Sequence, residues 1–259
     1  MISELTNRII RSVLRLNKKK WRNDYDDMLH QESAAEKFRL IYEKNLWRNA
    51  ESVSGSGSTL KFTKNIREAL PGVIAQYDIH SMFDAPCGDF NWMKHVLKTV
   101  DIRYIGGDIV EDLIARNNKI FATENVEFVS IDLIREHFPA VDMMLCRDCL
   151  FHMSYENTLE ILNNFIDSNI EYFFTTTYKK PADFVNGDIV TGSFRAIDLT
   201  KAPYHFPDDA LFAVLDGKKD NTERFMCLWN REQVKSAVAA MSKALKQQET
   251  DEGADSGKS

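Results

Sequence analysis

Three aspartates recur at a fixed interval: Asp108 follows Asp84 by 24 residues, and Asp132 follows Asp108 by another 24. Each closes a short apolar run. A charged pair, Arg147-Asp148, follows a fourth run, Val141–Cys146. A carboxylate at such a point can accept from both hydroxyls of a ribose, or from an amino group. The turn after the first run is Asp84-Ala85-Pro86-Cys87-Gly88-Asp89-Phe90, with one glycine and two acids. A pyrophosphate needs a glycine-rich turn that lets the backbone approach closely. Two carboxylates would repel it, yet would attract a ligand carrying an ammonium group. His152 stands one helical turn beyond Asp148, so the two can face one cleft. Either could take a proton from a hydroxyl. A single aspartate at a strand end is most often a cap or turn residue. Three at the period of one strand-helix unit are harder to read that way.

The elements that must position these residues follow from periodicity. Short apolar runs at Ser81–Asp84, Arg103–Asp108, Val126–Asp132, Val141–Cys146 and Glu171–Thr177 read as strands. Between them, Trp92–Val100, Glu111–Asn118 and Tyr155–Ile166 read as helices. This alternation predicts an α/β, Rossmann-like, doubly wound, mostly parallel sheet with helices on both faces. Ligands of such sheets bind beyond the carboxyl ends of the strands, where the polar residues fall. Residues 178–223 read as a long insertion of loops with at most one short helix. Its length predicts a functional role in covering an acceptor. Asn186-Gly187-Asp188 and Arg195 lie there, with Tyr178 and His205 as weaker candidates. A strand at Phe225–Trp229 and a helix at Arg231–Lys246 close the domain, and 248–259 reads as a disordered tail.

Residues 1–58 form an N-terminal helical extension ending in a Gly/Ser loop, ahead of a domain at 59–247. Ile9, Ile10, Val13, Leu14 and Leu16 make an apolar stripe interleaved with arginines and lysines. The stripe predicts a helix packed on the domain with its basic face in water. Contact with an anionic membrane or a nucleic-acid backbone is the alternative, and the Arg-rich start also resembles a transit peptide. A helix follows at about Glu32–Lys44. The loop Glu51–Ser58 is either a flexible linker or a binding element. In the second case its N–H groups would meet an anion at the start of a helix over Thr59–Leu70.

Composition narrows the classes. Of 259 residues 44% are hydrophobic and 28% charged, with a net charge of −6. The acidic balance argues against a whole-surface attraction to nucleic acid. No apolar run of about 18 residues predicts a transmembrane segment. The start lacks a secretory core, and few cysteines suit a reducing compartment, so a cytoplasmic location is expected. Cys146 and Cys149 form a CxxC spacing without a second pair or finger-spaced histidines, and no metal is expected.

Asp84–Trp92, Tyr104–Val110 and Cys146–His152 resemble the successive motifs of class I S-adenosylmethionine-dependent methyltransferases. They resemble in particular a bacterial branch with a Glu-Ser-x-Ser-Gly-x-Gly-Ser loop before the fold, here Glu51–Ser58. Asp188–Arg195, Ala202-Pro203-Tyr204 and Leu228-Trp229 resemble further motifs of that branch. The first motif departs from the family's acid-x-Gly-x-Gly-x-Gly: Pro86 and Asp89 stand where glycines would. The resemblance covers about residues 42–235. It implies S-adenosylmethionine as cofactor, with Asp84, Ala85 and Gly88 at its methionine end. Asp108 would hold the ribose and Asp132 the adenine edge, with Ile109 and Leu133 sandwiching the base. Arg147, Asp148 and His152 would open toward the transferred methyl, with His152 or Asp148 as general base. No Asn-Pro-Pro-aromatic motif for base amino groups is present. A hydroxyl of a small metabolite or sugar is the expected acceptor. A nucleic acid gripped by the basic helix, or a non-catalytic S-adenosylmethionine-binding module, are the alternatives. An NAD-dependent oxidoreductase is disfavoured by the missing glycine-rich turn.

Overall fold

The apolar runs form the parallel part of a seven-stranded sheet. In this computed structural model, residues 4–219 and 222–256 are described, with side chains for 16–217 and 222–247. The strands are β1 (Ser81–Asp84), β2 (Arg103–Asp108), β3 (Val126–Ser130), β4 (Met143–Cys146), β5 (Tyr172–Lys179), β6 (Phe212–Lys219) and β7 (Thr222–Asn230). Their order across the sheet is β3-β2-β1-β4-β5-β7-β6. The first five run parallel; β7 is antiparallel to both β5 and β6. The helices are α1 (Glu4–Leu29), α2 (Ala34–Glu43), α3 (Lys64–Gln76), α4 (Met93–Val96), α5 (Glu111–Phe121), α6 (Tyr155–Asp167) and α7 (Arg231–Ser256). All four residues of β4 are buried, as befits a central strand covered on both faces. One cluster joins Phe83 and Phe173 to Leu162 of α6 and Val234 of α7. The other joins Met82, Tyr104 and Leu145 to Ile66 and Leu70 of α3.

The sheet reverses its winding between β1 and β4, and this switch point fixes where a ligand can enter. Asp142 holds the feet of the two strands together. Its Oδ2 accepts from the backbone N–H groups of His80 and Ser81 and from the Ser81 hydroxyl. The opposite, carboxyl ends carry Asp84 on one strand and Arg147 just past the other.

Several expected boundaries shift, each for a local reason. α4 is four residues long rather than Trp92–Val100, because Thr99 turns back and gives both its N–H and its hydroxyl to the Val96 carbonyl. α3 starts at Lys64, since the residues from Thr59 are spent on turns: Thr63 donates to Thr59 by both N–H and hydroxyl. The 178–223 stretch is not all loop. Its first residues extend β5, and Phe212–Lys219 is a strand whose pattern is broken by a bulge at Asp216. No helix occurs among the described residues 180–211. The 248–259 tail, read as disordered, continues α7 as helix as far as Ser256. Residues 257–259 lie outside the described part.

α1 packs through Trp21, Tyr25 and Met28 against Ile41 and Leu46. Leu16 is 64% exposed, so this residue of the expected stripe does not pack on the domain. The side chains of Ile9, Ile10, Val13 and Leu14 lie outside the described residues. Among the described residues no helix is long and apolar enough to cross a membrane.

Candidate active site

A cavity opens at the carboxyl ends of β1, β2 and β4. Asp84, the last residue of β1, lines it and is buried. The Tyr104 hydroxyl donates to its Oδ2 at 2.7 Å. Burial raises the Asp84 carboxyl to about 7, and the Tyr104 bond and the Arg147 charge offset this only in part. Asp108 ends β2. Its Oδ2 accepts from the Gly88 N–H at 3.1 Å and its Oδ1 from the Val110 N–H at 3.0 Å. Burial lifts it to about 6 despite these bonds. Asp132, two residues past β3, turns its Oδ1 onto the Ile134 N–H and lines the same cavity. Ile109 and Leu133 line an apolar slot beside these acids.

The turn after β1 has a positive φ of 55° at Gly88, which a glycine adopts freely. The Asn117 side chain donates to the Gly88 carbonyl and pins this turn to α5. Ala85 does not reach the cavity. Its N–H continues the β1–β4 pairing by donating to the Leu145 carbonyl, and its methyl is in the core. Asp89 is also absent from the lining, since the Gly/Ser loop claims it.

That loop is a fixed cover. The Ser52 hydroxyl and the Val53 N–H donate to the two Asp89 carboxylate oxygens, and the Asp89 N–H donates to the Ser54 hydroxyl. Glu51 accepts from the Leu60 N–H and the Asn91 amide. The loop's Val53 N–H, and the Leu60 N–H just past it, thus meet carboxylates of the chain itself. With α3 starting only at Lys64, the expected anion seat at a helix start is not formed. A methyl group at Gly88 would collide with the Ser54 hydroxyl, so the glycine also permits the cover to close.

Arg147 and Asp148 line the cavity but are held by a ring of charge. Arg147 bonds Asp216 Oδ2 at 2.9 Å and lies 3.3 Å from Asp148 Oδ2. Arg224 closes the ring, at 2.9 Å from Asp148 Oδ2 and 2.8 Å from Asp216 Oδ2. Arg147 also donates to the Gly57 carbonyl at 2.8 Å, tying the loop to the sheet. Burial pushes the Asp148 carboxyl up, but the Arg147 and Arg224 guanidiniums outweigh it and hold it below the ordinary range. Asp148 is therefore a poor base. Neither Asp216 nor Arg224 stood out in the sequence.

His152 lies in a short turn after β4 and lines the cavity. Its Nδ1 donates to the Ser193 carbonyl at 2.6 Å. That bond fixes the tautomer and leaves Nε2 as an acceptor. Burial lowers the imidazole below its usual value, and the Ser193 bond and Asp148 oppose this incompletely. Trp47 stacks on the ring at 5.6 Å. The 180–211 segment does not line the cavity, contrary to its expected role as a cover; Asn186, Asp188, Arg195 and His205 all lie outside it, as does Tyr178 on β5. Instead it supports His152 from behind, with the Gly192 N–H donating to the His152 carbonyl. The cover comes from the N-terminal side: Phe38, Ile41 and Tyr42 of α2, with Trp47, line the cavity.

Removing one member of the charge ring strands the others in a buried setting. Arg224→Met is expected to destabilise the fold by about 3–5 kcal/mol, the range for breaking a buried ion pair from one side. Urea unfolding reads this directly; a loss under about 1 kcal/mol would mean that solvent reaches the ring.

No family model matches the sequence, and no curated protein matches it. Solved structures do. The magnesium protoporphyrin IX methyltransferase of Synechocystis PCC 6803 with bound SAM aligns at 13% identity, over 77% of this chain and 98% of that one, with a TM-score of 0.50. The methyltransferase domain of a bacterial Hen1 aligns at 13% identity over 65% of this chain and 99% of that one, with a TM-score of 0.49. Human N-acetylserotonin methyltransferase in complex with SAM aligns at 14% identity over 80% of this chain and 66% of that one, at 0.47. With its sheet order and the first of these likenesses, the chain has the Rossmann-like α/β fold of class I S-adenosylmethionine-dependent methyltransferases.

Proposed function

We propose that this protein is an S-adenosylmethionine-dependent methyltransferase acting on a hydroxyl of a small molecule. The observation that carries this reading is the pairing, in one cavity, of two buried strand-end carboxylates with a histidine whose tautomer is fixed. The donor set fits the cofactor. Asp84 has one carboxylate oxygen bonded to Tyr104 and sits where burial has raised its proton affinity, so an ammonium group would be a favourable partner. Asp108 accepts from the backbone N–H groups of Gly88 and Val110 and retains acceptor capacity for a ribose hydroxyl. Asp132 would meet the adenine edge, with Ile109 and Leu133 on the two faces of the base. When bound, S-adenosylmethionine supplies the methyl and leaves as the neutral thioether.

The chain's own work is alignment and proton removal. His152 would accept the hydroxyl proton at Nε2 as the acceptor oxygen bonds to the methyl. Asp148, neutralised by two guanidiniums, would position its neighbours and take no proton. A nucleic-acid acceptor gains no support from the cavity, whose one lining guanidinium, Arg147, is already paired.

Calorimetry with S-adenosylhomocysteine tests the cofactor reading. Asp108→Ala is expected to weaken binding by roughly 1.5–3 kcal/mol, the range for lost hydrogen bonds to a charged acceptor. Unchanged affinity in a folded variant would remove Asp108 from the site. The same titration has a sign in pH. Asp84 titrates at about 7 in the free protein. A cationic group bound beside it lowers that value, so affinity should fall as pH drops through 7, by up to about tenfold per unit. Asp84→Asn should flatten the profile, and a steep profile surviving in that variant would assign the proton elsewhere. For catalysis, His152→Ala should lower turnover on the order of 10²–10⁴-fold while leaving S-adenosylhomocysteine binding near its original value. A parallel loss of both would make His152 a cofactor-positioning residue.

A further inference from the structure

The walls around His152 are aromatic, aliphatic or sulphur-bearing. Trp47 lies nearly parallel to the imidazole, with 28° between the ring planes, and is 37% exposed at the cavity edge. Phe151 and Phe194 pack on the same ring at 4.6 and 5.9 Å from outside the cavity lining, and support it. Ile41 and Tyr42 of α2, with Cys149 and Met153 after β4, line the cavity beside them. The one carboxylate here, Asp148, is occupied by Arg147 and Arg224. The Ser54 hydroxyl accepts from the Asp89 N–H. Few polar groups are left to receive an acceptor: Nε2 of His152 and the hydroxyls of Tyr42, Ser54 and Ser58.

This distribution discriminates between classes of alcohol. A buried sugar brings a hydroxyl on nearly every carbon, and each must find a partner or be left unpaired. A nucleotide adds a phosphate, and the cavity's one arginine is already neutralised. A planar aromatic ring asks for an apolar, flat wall, which Trp47 and its neighbours give. The base agrees with this. His152 is held by burial below its usual proton affinity, so it is a weak base. A phenolic hydroxyl, with a pKa near 10 as in tyrosine, gives up its proton far more readily than an aliphatic alcohol.

We propose that the acceptor is a planar aromatic alcohol of the phenol class, its ring packed against Trp47 and its hydroxyl at His152 Nε2, and that the site rejects sugars and nucleotides. The proposal rests on the methyl-transfer reading above. The transfer balances without a further reagent: the acceptor oxygen gains the methyl, its proton passes to Nε2, and the sulfonium becomes a thioether.

The test separates this from the cofactor reading. S-adenosylhomocysteine is titrated first; no binding would sink the cofactor reading itself. The saturated protein is then titrated by calorimetry with 2-naphthol, D-glucose and adenosine monophosphate. Binding of 2-naphthol alone is expected. Trp47→Ala should weaken it by about tenfold, and Trp47→Phe should recover most of the loss, with S-adenosylhomocysteine affinity measured in each variant as the control. Saturation with S-adenosylhomocysteine followed by no 2-naphthol binding, or by equal binding of glucose, would overturn the acceptor assignment alone. So would 2-naphthol binding that is indifferent to both Trp47 substitutions.

Discussion

The site depends on the four-charge ring of Arg147, Asp148, Arg224 and Asp216. Two guanidiniums and two carboxylates meet within 2.8 to 3.3 Å, all but Asp148 buried. Such a group is tolerable only complete, because each charge removed leaves another unpaired. Apolar side chains could fill the same volume at similar stability. They could not hold the Gly57 carbonyl of the cover to the end of β4, as Arg147 does. Nor could they fix the Asp148 carboxylate beside a histidine. The ring joins three parts distant in sequence: the cover, the switch point and the β6–β7 hairpin. A methyl at Gly57 would meet Asp148 Oδ2 at 2.5 Å, so the cover approaches the ring as closely as a backbone can.

The balance of charge beyond the ring points the same way. Asp84 and Asp108 are buried a short distance apart, and the nearest cation, Arg147, is already shared between two other acids. Burial has lifted both carboxyls, to about 7 and about 6. The free protein thus keeps two desolvated acids that lack a counter-charge. A ligand bringing positive charge to Asp84 and hydroxyl donors to Asp108 would relieve that cost, whereas a phosphate would add to it. The same electrostatics at Asp84 disfavour a dinucleotide's pyrophosphate.

The acids were legible in the sequence because their placement is local. Each follows an apolar strand by zero to two residues, and the strand period alone brings them to one edge. What was not legible is set by distant partners. Asp148 beside His152 looks like a base until Arg224, 76 positions away, is seen to neutralise it. Asp216 falls in a stretch that reads as loop, while in the fold a bulge within β6 turns it into the ring. The Gly/Ser composition of Glu51–Ser58 suits a linker equally well, and its order comes from Asp89, more than thirty residues on. Trp47, Phe38 and Tyr42 belong to ordinary amphipathic sequence, and only the return of the N-terminal segment over the sheet makes them walls. Ala85 fails in the other direction. Its neighbours face the cavity, and strand alternation turns it inward.

The long segment after β5 sets the electrostatic environment of His152, the proposed base. It was expected to cover the acceptor, yet it lies behind His152 and offers a backbone carbonyl, that of Ser193, to Nδ1. A carboxylate in that place would fix the tautomer equally well and would also raise the imidazole's proton affinity. The carbonyl fixes it without adding charge, and the one nearby carboxylate, Asp148, has its charge cancelled by arginines. Burial then prevails and keeps the ring neutral. A neutral imidazole is ready to accept at physiological pH, yet it has little driving force to take a proton from a weakly acidic alcohol. On the proposed reading, the segment behind the histidine and the aromatic walls in front of it select in the same direction. One limits how strong the base can be, and the other limits which hydroxyls can reach it.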